Sequence, residues 1–328
     1  MPSATKQTPN LFLRNRLLRD ASMQAVYDAM RGDASVHLFG EGARVKVHYD
    51  APKIEADFLD RVHTLPISED GNTNFCVGAA LAGVKPIVDV ISADFLYRTM
   101  DSICNTAAKL DFVSRREHTI VVRAEFLLGG PTTGQRPEAM LAHVPGLRVV
   151  IPSTPRDSYG MMRRALETPG VTVFFEDRMI ADDGFFADGD LYYDSGDRAR
   201  FGRISWRVRD PSAGVTVLAY GLMRQRAEAA IRMHNLRANL YDLRSIAPLD
   251  IDGILDAVRR TGKLLIVEPD VVRGGVGAEI AAVVAEHMPG TAIRRLGAPF
   301  RTIPASMALH DSMLPSEEEI ADAIRRSA

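Results

Sequence analysis

Leu65-Pro66-Ile67-Ser68-Glu69-Asp70-Gly71 joins an apolar entry to a run of small residues, Gly78-Ala79-Ala80-Leu81-Ala82-Gly83. Pro66 fixes its own φ and keeps the residue before it out of a helix. Ser68 is placed to cap the helix that follows, and Glu69 falls at that helix's positive end. Glycine and alanine along the helix let a second backbone or a flat ligand approach closely. Read alone, the stretch is an acidic helix start on a surface, a common arrangement. The segments on both sides give it a different weight.

Upstream, residues 1–10 (MPSATKQTPN) are polar and proline-bearing, as in a mobile arm. Leu17, Leu18, Ala21, Val26 and Met30 then give residues 13–31 an amphipathic helical period. Val36-His37-Leu38-Phe39-Gly40 reads as a short buried strand, residues 41–53 as a loop and 54–62 as a helix. Downstream, Pro86-Ile87-Val88-Asp89-Val90-Ile91 is a second strand and residues 95–111 a helix. Thr119-Ile120-Val121-Val122-Arg123-Ala124 is a third strand, opening into the turn-rich loop Leu128-Gly129-Gly130-Pro131-Thr132-Thr133-Gly134. Residues 136–143 read as helical and 147–152 as a strand. Thr154-Pro155-Arg156-Asp157 caps a helix to Leu166, and 171–175 is a fifth strand. This alternation predicts an α/β domain with a mostly parallel sheet and helices on both faces. Such sheets bind ligands beyond the carboxyl ends of their strands, and Glu69, Phe95 and the 129–134 loop are the candidates for that edge.

Residues 176–212 are rich in turn formers. Asp182-Asp183-Gly184, Asp188-Gly189-Asp190 and Ser195-Gly196-Asp197 lack the ligand spacing and closing glutamate of a calcium loop. A smaller α/β unit follows, with strands at 215–220, 238–243, 264–268 and 292–296 and helices at 224–236, 250–261 and 277–287. The predicted organisation is therefore an arm at 1–12, a first domain at 13–180, a linker at 181–212 and a second domain at 213–328.

The 328 residues suffice for two domains. Apolar residues at 46% and charged residues at 25% are ordinary for a globular protein. A net charge of -2 gives no global field toward nucleic acid or an anionic membrane. Two cysteines, Cys76 and Cys104, make no disulfide framework, so a reducing, cytoplasmic setting is expected. Neither a signal peptide nor a membrane span is expected, because no apolar run has the length. Gly274-Gly275-Val276-Gly277 opens a helix but lacks the Lys-Ser/Thr of a P-loop and a following ribose-binding acid, so it reads as a packing turn. No Gly-x-Ser-x-Gly elbow supports a hydrolase, and no His-Glu-x-x-His supports zinc. His37, His143 and His310 read as structural histidines.

Leu65-Pro66-Ile67-Ser68-Glu69, the small-residue run, and Ala93-Asp94-Phe95-Leu96-Tyr97 followed by Asp101 resemble the β subunit of the E1 component of 2-oxoacid dehydrogenases. The likeness continues in order through Asn105-Thr106-Ala107-Ala108-Lys109, Pro145-Gly146-Leu147-Arg148-Val149-Val150 and Pro152-Ser153-Thr154-Pro155. In the second unit it takes in Tyr241-Asp242-Leu243-Arg244, Ala247-Pro248-Leu249-Asp250 and Gly274-Gly275-Val276-Gly277-Ala278-Glu279-Ile280, so that it spans about residues 13–326.

The resemblance implies a transketolase-like, thiamine diphosphate-binding pyrimidine domain followed by a smaller transketolase C-terminal-like domain. It implies that a partner α subunit holds the diphosphate and Mg2+ through a Gly-Asp-Gly…Asn motif, which this chain lacks, in an α2β2 assembly with the cofactor between subunits. Glu69 falls on the family's activating glutamate. An acid hydrogen-bonded to N1′ of the aminopyrimidine favours the tautomer whose N4′ takes the thiazolium C2 proton. Phe95 matches the aromatic that stacks on the pyrimidine, with Ile67 and Tyr97 as further cofactor-binding candidates. Some members bind potassium through backbone carbonyls, here near Ala165, Leu166 and Thr168. One departure stands out. Where the family has His-Ser-Gln facing the substrate, this chain has Thr133-Gly134-Gln135, so Thr133 and Gln135 are the substrate-side candidates and the histidine is missing. Gly130-Pro131-Thr132 is also similar to single-chain transketolases, in which a histidine follows the threonine.

The leading expectation is a β subunit that decarboxylates a 2-oxoacid and passes the acyl group to a lipoyl domain. A split transketolase-like enzyme moving a two-carbon ketol unit from a ketose to a sugar acceptor or an acyl carrier protein is the alternative that the missing histidine motivates. A non-catalytic scaffold subunit is the third. None involves nucleic acid or a membrane.

Overall fold

The computed structural model describes residues 16–41, 52–180 and 200–327. The arm at 1–12, the acidic turns at 182–197 and most of the linker lie outside the described residues.

The first domain begins with α1 (Arg16–Gly32), β1 (Val36–Gly40), α2 (Pro52–Asp57) and β2 (Val62–Thr64). It continues with α3 (Glu69–Leu81), β3 (Lys85–Ser92), α4 (Leu110–Ser114), β4 (Thr119–Phe126), α5 (Glu138–Ala142), β5 (Leu147–Val150), α6 (Pro155–Glu167) and β6 (Gly170–Asp177). In the second, β7 (Ser205–Val208), β8 (Val215–Ala219), α7 (Gly221–Met233), β9 (Ala238–Asp242) and β10 (Ser245–Ala247) precede α8 (Ile251–Arg259) and β11 (Lys263–Val271). The chain closes with α9 (Val276–His287), β12 (Ala292–Ala298), α10 (Met307–Asp311) and α11 (Glu317–Ser327).

The first sheet has the order β10-β5-β6-β4-β3-β1-β2, parallel except for β10. Its inner strands, β1 and β3 to β6, are buried on both faces. Phe39, Val88, Val122 and Phe175 enter one core, while their neighbours Leu38, Ile87, Val121 and Phe174 enter the other, beneath α1 and α6. This double burial explains the unbroken apolar runs in the sequence. The second sheet, β12-β11-β8-β9-β7, is parallel except for β7. One of its faces, with Leu218, Tyr220 and Ile266, joins the same buried cluster as Phe39 and Val88, so the domains share a core.

Several expectations need correction. The helix expected over 54–62 stops at Asp57, and β2 follows at Val62. The helix expected over 95–111 is broken into a 3-10 segment (Ala93–Thr99), a wide π turn (Ser102–Thr106), a further 3-10 turn and α4. Side chains set this break: Ser92 caps the first turn by accepting from Asp94 N–H, and Asn74 on α3 donates to Ser102 Oγ at 2.6 Å. Irregular helix of this kind marks functional segments. β7 and β10 were not expected, because each is specified by a distant partner, β9 and β5.

Candidate active site

Three strand ends and one turn build the site. β1 runs into Glu41, and β2 runs through Leu65, whose N–H donates to Gly40 O at 3.0 Å, into Glu69 at the head of α3. Ser68 occupies the cap position, but its side chain makes no capping bond. The turn is held otherwise: Ser68 N–H donates to Glu41 Oε1 at 3.0 Å, and Asn72 Nδ2 donates to Pro66 O at 2.9 Å. Glu41 was not anticipated by the sequence. Burial, and more weakly Glu69, push its carboxyl above the ordinary range, and its bond from Ser68 N–H ties it to the residue before Glu69. Gly83, with φ +93, follows α3 as a left-handed cap.

Glu69 is 8% exposed. Its nearest cationic partner is Arg98, whose Nη1 lies 4.0 Å from Oε2 and whose side chain is 71% exposed. Among the described residues no donor of this chain reaches the Glu69 carboxylate within hydrogen-bonding distance. The side chain is thus largely buried while its carboxylate oxygens are left for a donor or acceptor arriving from outside the chain, as N1′ of an aminopyrimidine would.

β3 delivers the next group through a bulge. Its register against β4 shifts between Asp89 and Ser92, and Ile91 sits at φ 67, a strained conformation for a β-branched residue. Asp89 Oδ1 accepts from Ile91 N–H at 2.9 Å, and its Oδ2 accepts from Arg123 Nη1 at 3.0 Å. Arg123, fully buried, also meets Glu125 and Glu176. Burial pushes the Asp89 carboxyl to about 6. The bulge turns the chain into Ala93–Thr99, with half-buried Phe95 packed on the shared core. Arg98 points toward Glu69. Tyr97, 40% exposed, instead has Asp270, Glu138 and Asp94 as charged neighbours, and burial followed by these acids pushes its phenol to about 12. Tyr97 therefore belongs to the loop side. Ile67 is 84% exposed and faces outward from this chain.

The 128–135 loop is tied to the Phe95 turn by Asp94, which accepts from Gly134 N–H at 3.1 Å and Gln135 N–H at 2.8 Å. The Thr133 hydroxyl turns inward to Gly129 O, while Gln135 is exposed. So the structure joins Glu69 with Arg98, and Asp94 with the substrate-side loop, on one sheet edge.

Ala165 and Leu166 lie buried near the end of α6, away from that edge. The carbonyl of Thr168 accepts from Arg148 Nη2 at 3.0 Å, that of Pro169 from Nη1 at 2.6 Å, and Thr172 Oγ1 from Nε at 2.9 Å. A guanidinium thus already fills the carbonyl cluster. At the glycine-rich turn before α9, Glu268 Oε2 accepts from Gly277 N–H at 3.0 Å, so the helix N-terminus holds a carboxylate of this chain, in line with a packing turn. Cys76 is buried, with its thiol pushed to about 12, and both cysteines are free. His143 is exposed. Among the described residues no group of three or more His, Cys, Asp or Glu can hold a metal ion.

Comparison with known proteins gives the same outline. Residues 15–182 match the transketolase pyrimidine binding domain, and residues 205–320 the transketolase C-terminal domain. The acetoin:2,6-dichlorophenolindophenol oxidoreductase subunit beta of Cupriavidus necator is 30% identical over 96% of this chain and 98% of its own length. The 2-oxoisovalerate dehydrogenase subunit beta of Bacillus subtilis is 30% identical over 94% and 97%. The pyruvate dehydrogenase E1 component subunit beta of Rickettsia bellii is 29% identical over 94% and 97%. A solved structure of a split gene transketolase, an inactive β4 tetramer, shares the fold with a TM-score of 0.78 at 19% identity, covering 94% of this chain and 97% of that one.

Proposed function

This chain belongs to the transketolase-like family of β subunits that join a pyrimidine-binding domain to a transketolase C-terminal domain, and we propose from that premise that it is the acid-bearing half of a thiamine diphosphate-dependent E1 enzyme that decarboxylates a 2-oxoacid. The observation that carries the reading is Glu69, a largely buried side chain at a helix head whose carboxylate has no donor among the described residues. Glu69 would hold the proton at N1′ of the aminopyrimidine, and Phe95 would offer its ring to the pyrimidine face. Arg98 is the neighbour that such a ring would displace. Thiamine diphosphate, when bound, supplies the electron sink through which a 2-oxoacid loses CO2.

The α subunit would hold the diphosphate and Mg2+, so activity would need both chains, as an α2β2 tetramer. Exposed Ile67 and Phe75, on either side of Glu69 in sequence, support docking of a second chain at this edge. The acyl group would pass to a lipoyl domain. Potassium does not fit this reading: Arg148 supplies positive charge to the Thr168 and Pro169 carbonyls, and we assign no ion there. No helix among the described residues is long and apolar enough to cross a membrane, and we place the enzyme in the cytoplasm.

The assembled complex is tested with pyruvate and 2-oxoisovalerate, following CO2 release with a dye acceptor. Glu69→Gln should lower turnover at least about 100-fold, the lower bound for loss of a positioned acid–base group, with the mass of the complex unchanged. Full turnover of the Gln variant would leave only a scaffold role. Thr133, in the place of an imidazole, favours a second reading as a ketol transferase; turnover of ketose phosphates without CO2 from any 2-oxoacid would select it.

A further inference from the structure

The substrate-side loop is gripped from two directions. Its own domain holds it through Asp94. The second domain reaches across with residues 305–310: Gly130 N–H donates to Ala305 O at 2.7 Å, and His310, on α10, lies directly on Gly134. A Cβ at position 134 would fall 2.6 Å from His310 Cε1 and 3.0 Å from Nδ1. Gly134 also has φ +106, so both the contact and the backbone demand glycine.

His310 is 6% exposed, and its Nδ1 is buried without a hydrogen-bond partner. A core histidine is normally satisfied, and an idle ring nitrogen against a ligand-facing loop is costly unless it has a use. Charged groups face it from each side: Arg136, Asp94 and Asp177 from the first domain and Asp311 from its own helix. Burial, then Arg136, hold the imidazole below its ordinary range, so it is neutral at pH 7.

We propose that His310, carried in from the second domain, is the positioning residue for the loop bearing Thr133 and Gln135, its ring packed on Gly134 where the second domain closes over that loop. The inference rests on the E1 reading above. With the ring neutral, Gly134 packs on it and the Asp94 bonds to Gly134 and Gln135 close. Protonation sets a cation against Arg136 and draws it toward Asp311, Asp94 and Asp177, and its pull on Asp94 competes with the loop amides for that carboxylate. The loop then loosens and the substrate is held less well, while Glu69, on α3, is untouched.

The test uses the assembled complex with pyruvate and 2-oxoisovalerate, comparing His310→Ala and His310→Gln across pH 5.5 to 8. The wild-type KM is expected to rise at least fivefold as pH falls across this range. His310→Ala should raise KM about tenfold at pH 7.5 and flatten its pH dependence. His310→Gln should keep KM within threefold of wild type at pH 7.5 and show no rise in acid, with kcat within threefold in both variants. Hydrogen exchange provides a readout apart from turnover. After correction for the intrinsic rate, protection of the peptide containing Gly134 and Gln135 should fall with pH in the wild type but not in His310→Gln. A Gln variant that keeps the wild-type pH dependence of KM, or loop protection that ignores pH, overturns the proposal. Failure of the E1 reading itself would show differently, as a wild-type complex that releases no CO2, and would leave the exchange measurement decisive for His310.

Discussion

Glu268 ends its side chain in the first turn of α9, where Gly277 N–H and the helix dipole favour a negative charge. A Cβ on Gly275 would fall 2.7 Å from the Val271 carbonyl, and one on Gly275 or Gly277 would fall 2.5 or 2.6 Å from this carboxylate and displace it. Burial outweighs the helix: it pushes the carboxyl to about 7, against the Gly277 bond and with help from Asp270. The sign follows from the ordinary value of 4.5. Between pH 4.5 and about 7 the folded chain keeps a proton that the unfolded chain has released, so stability falls as pH rises through that window. Above it the deficit is complete, on the order of 3 kcal/mol. Glu268→Gln keeps an acceptor for Gly277 and removes the deficit. Thermal unfolding should show the variant melting several degrees above wild type at pH 8 and level with it near pH 4.5. A constant difference across that range would mean that Glu268 is ionised throughout.

At the scale of elements, the apolar runs that became β1, β3, β4, β5 and β6 were legible because strands buried on both faces need such runs, and the capping Thr154 announced α6 through its bond from Asp157 N–H at 3.1 Å. The place of Glu69 at the head of α3 was legible from Pro66 and Ser68 before it. The bulge at Ile91, the broken helix after it and the docking of the loop on His310 were not. Each depends on a partner remote in sequence, such as Asp94 with Gly134 across 40 residues, and no local period encodes such a contact. The end of α6 is similar: residue type placed Arg148 in a strand, and only the fold showed that its guanidinium gathers the Thr168 and Pro169 carbonyls. Hydrogen bonds to a charged group of this kind contribute roughly 1–3 kcal/mol. Arg148→Ala should therefore lower the melting temperature by several degrees, and potassium should restore part of the loss where tetramethylammonium at equal ionic strength does not. Wild-type stability should be indifferent to the choice of cation. A specific gain of the wild type in potassium would return an ion to this place.

Across the whole molecule, the two domains are joined by more than a linker. β10 leaves the second domain to pair with β5, and one apolar cluster runs through both sheets. Over that core lies an ionic seam. Asp157, in the first turn of α6, meets Arg244 at 2.7 Å and also Arg207, while Arg207 meets Asp242 at 3.0 Å. Arg224 donates to Ser153 Oγ at 2.9 Å, and Ser153 in turn bonds Asp242. Despite its burial, the two guanidiniums hold the Asp157 carboxyl at about 2, below the ordinary 3.8. A lowered carboxylate stabilises the fold above the ordinary value, and this contribution, on the order of 2 kcal/mol, is lost as pH falls from 3.8 through about 2. Asp157→Asn leaves Arg207 and Arg244 without their shared carboxylate, a change that costs about 3–5 kcal/mol when a buried pair is broken from one side. Because the seam and the shared core act together, scanning calorimetry of the wild type at pH 7 should show one transition for both domains. Asp157→Asn should unfold earlier, with the second domain separating as a lower transition, and the gap between variant and wild type should narrow as pH approaches 2. A variant that melts as one unit at the wild-type temperature would assign the coupling of the domains to the apolar cluster and β10 alone.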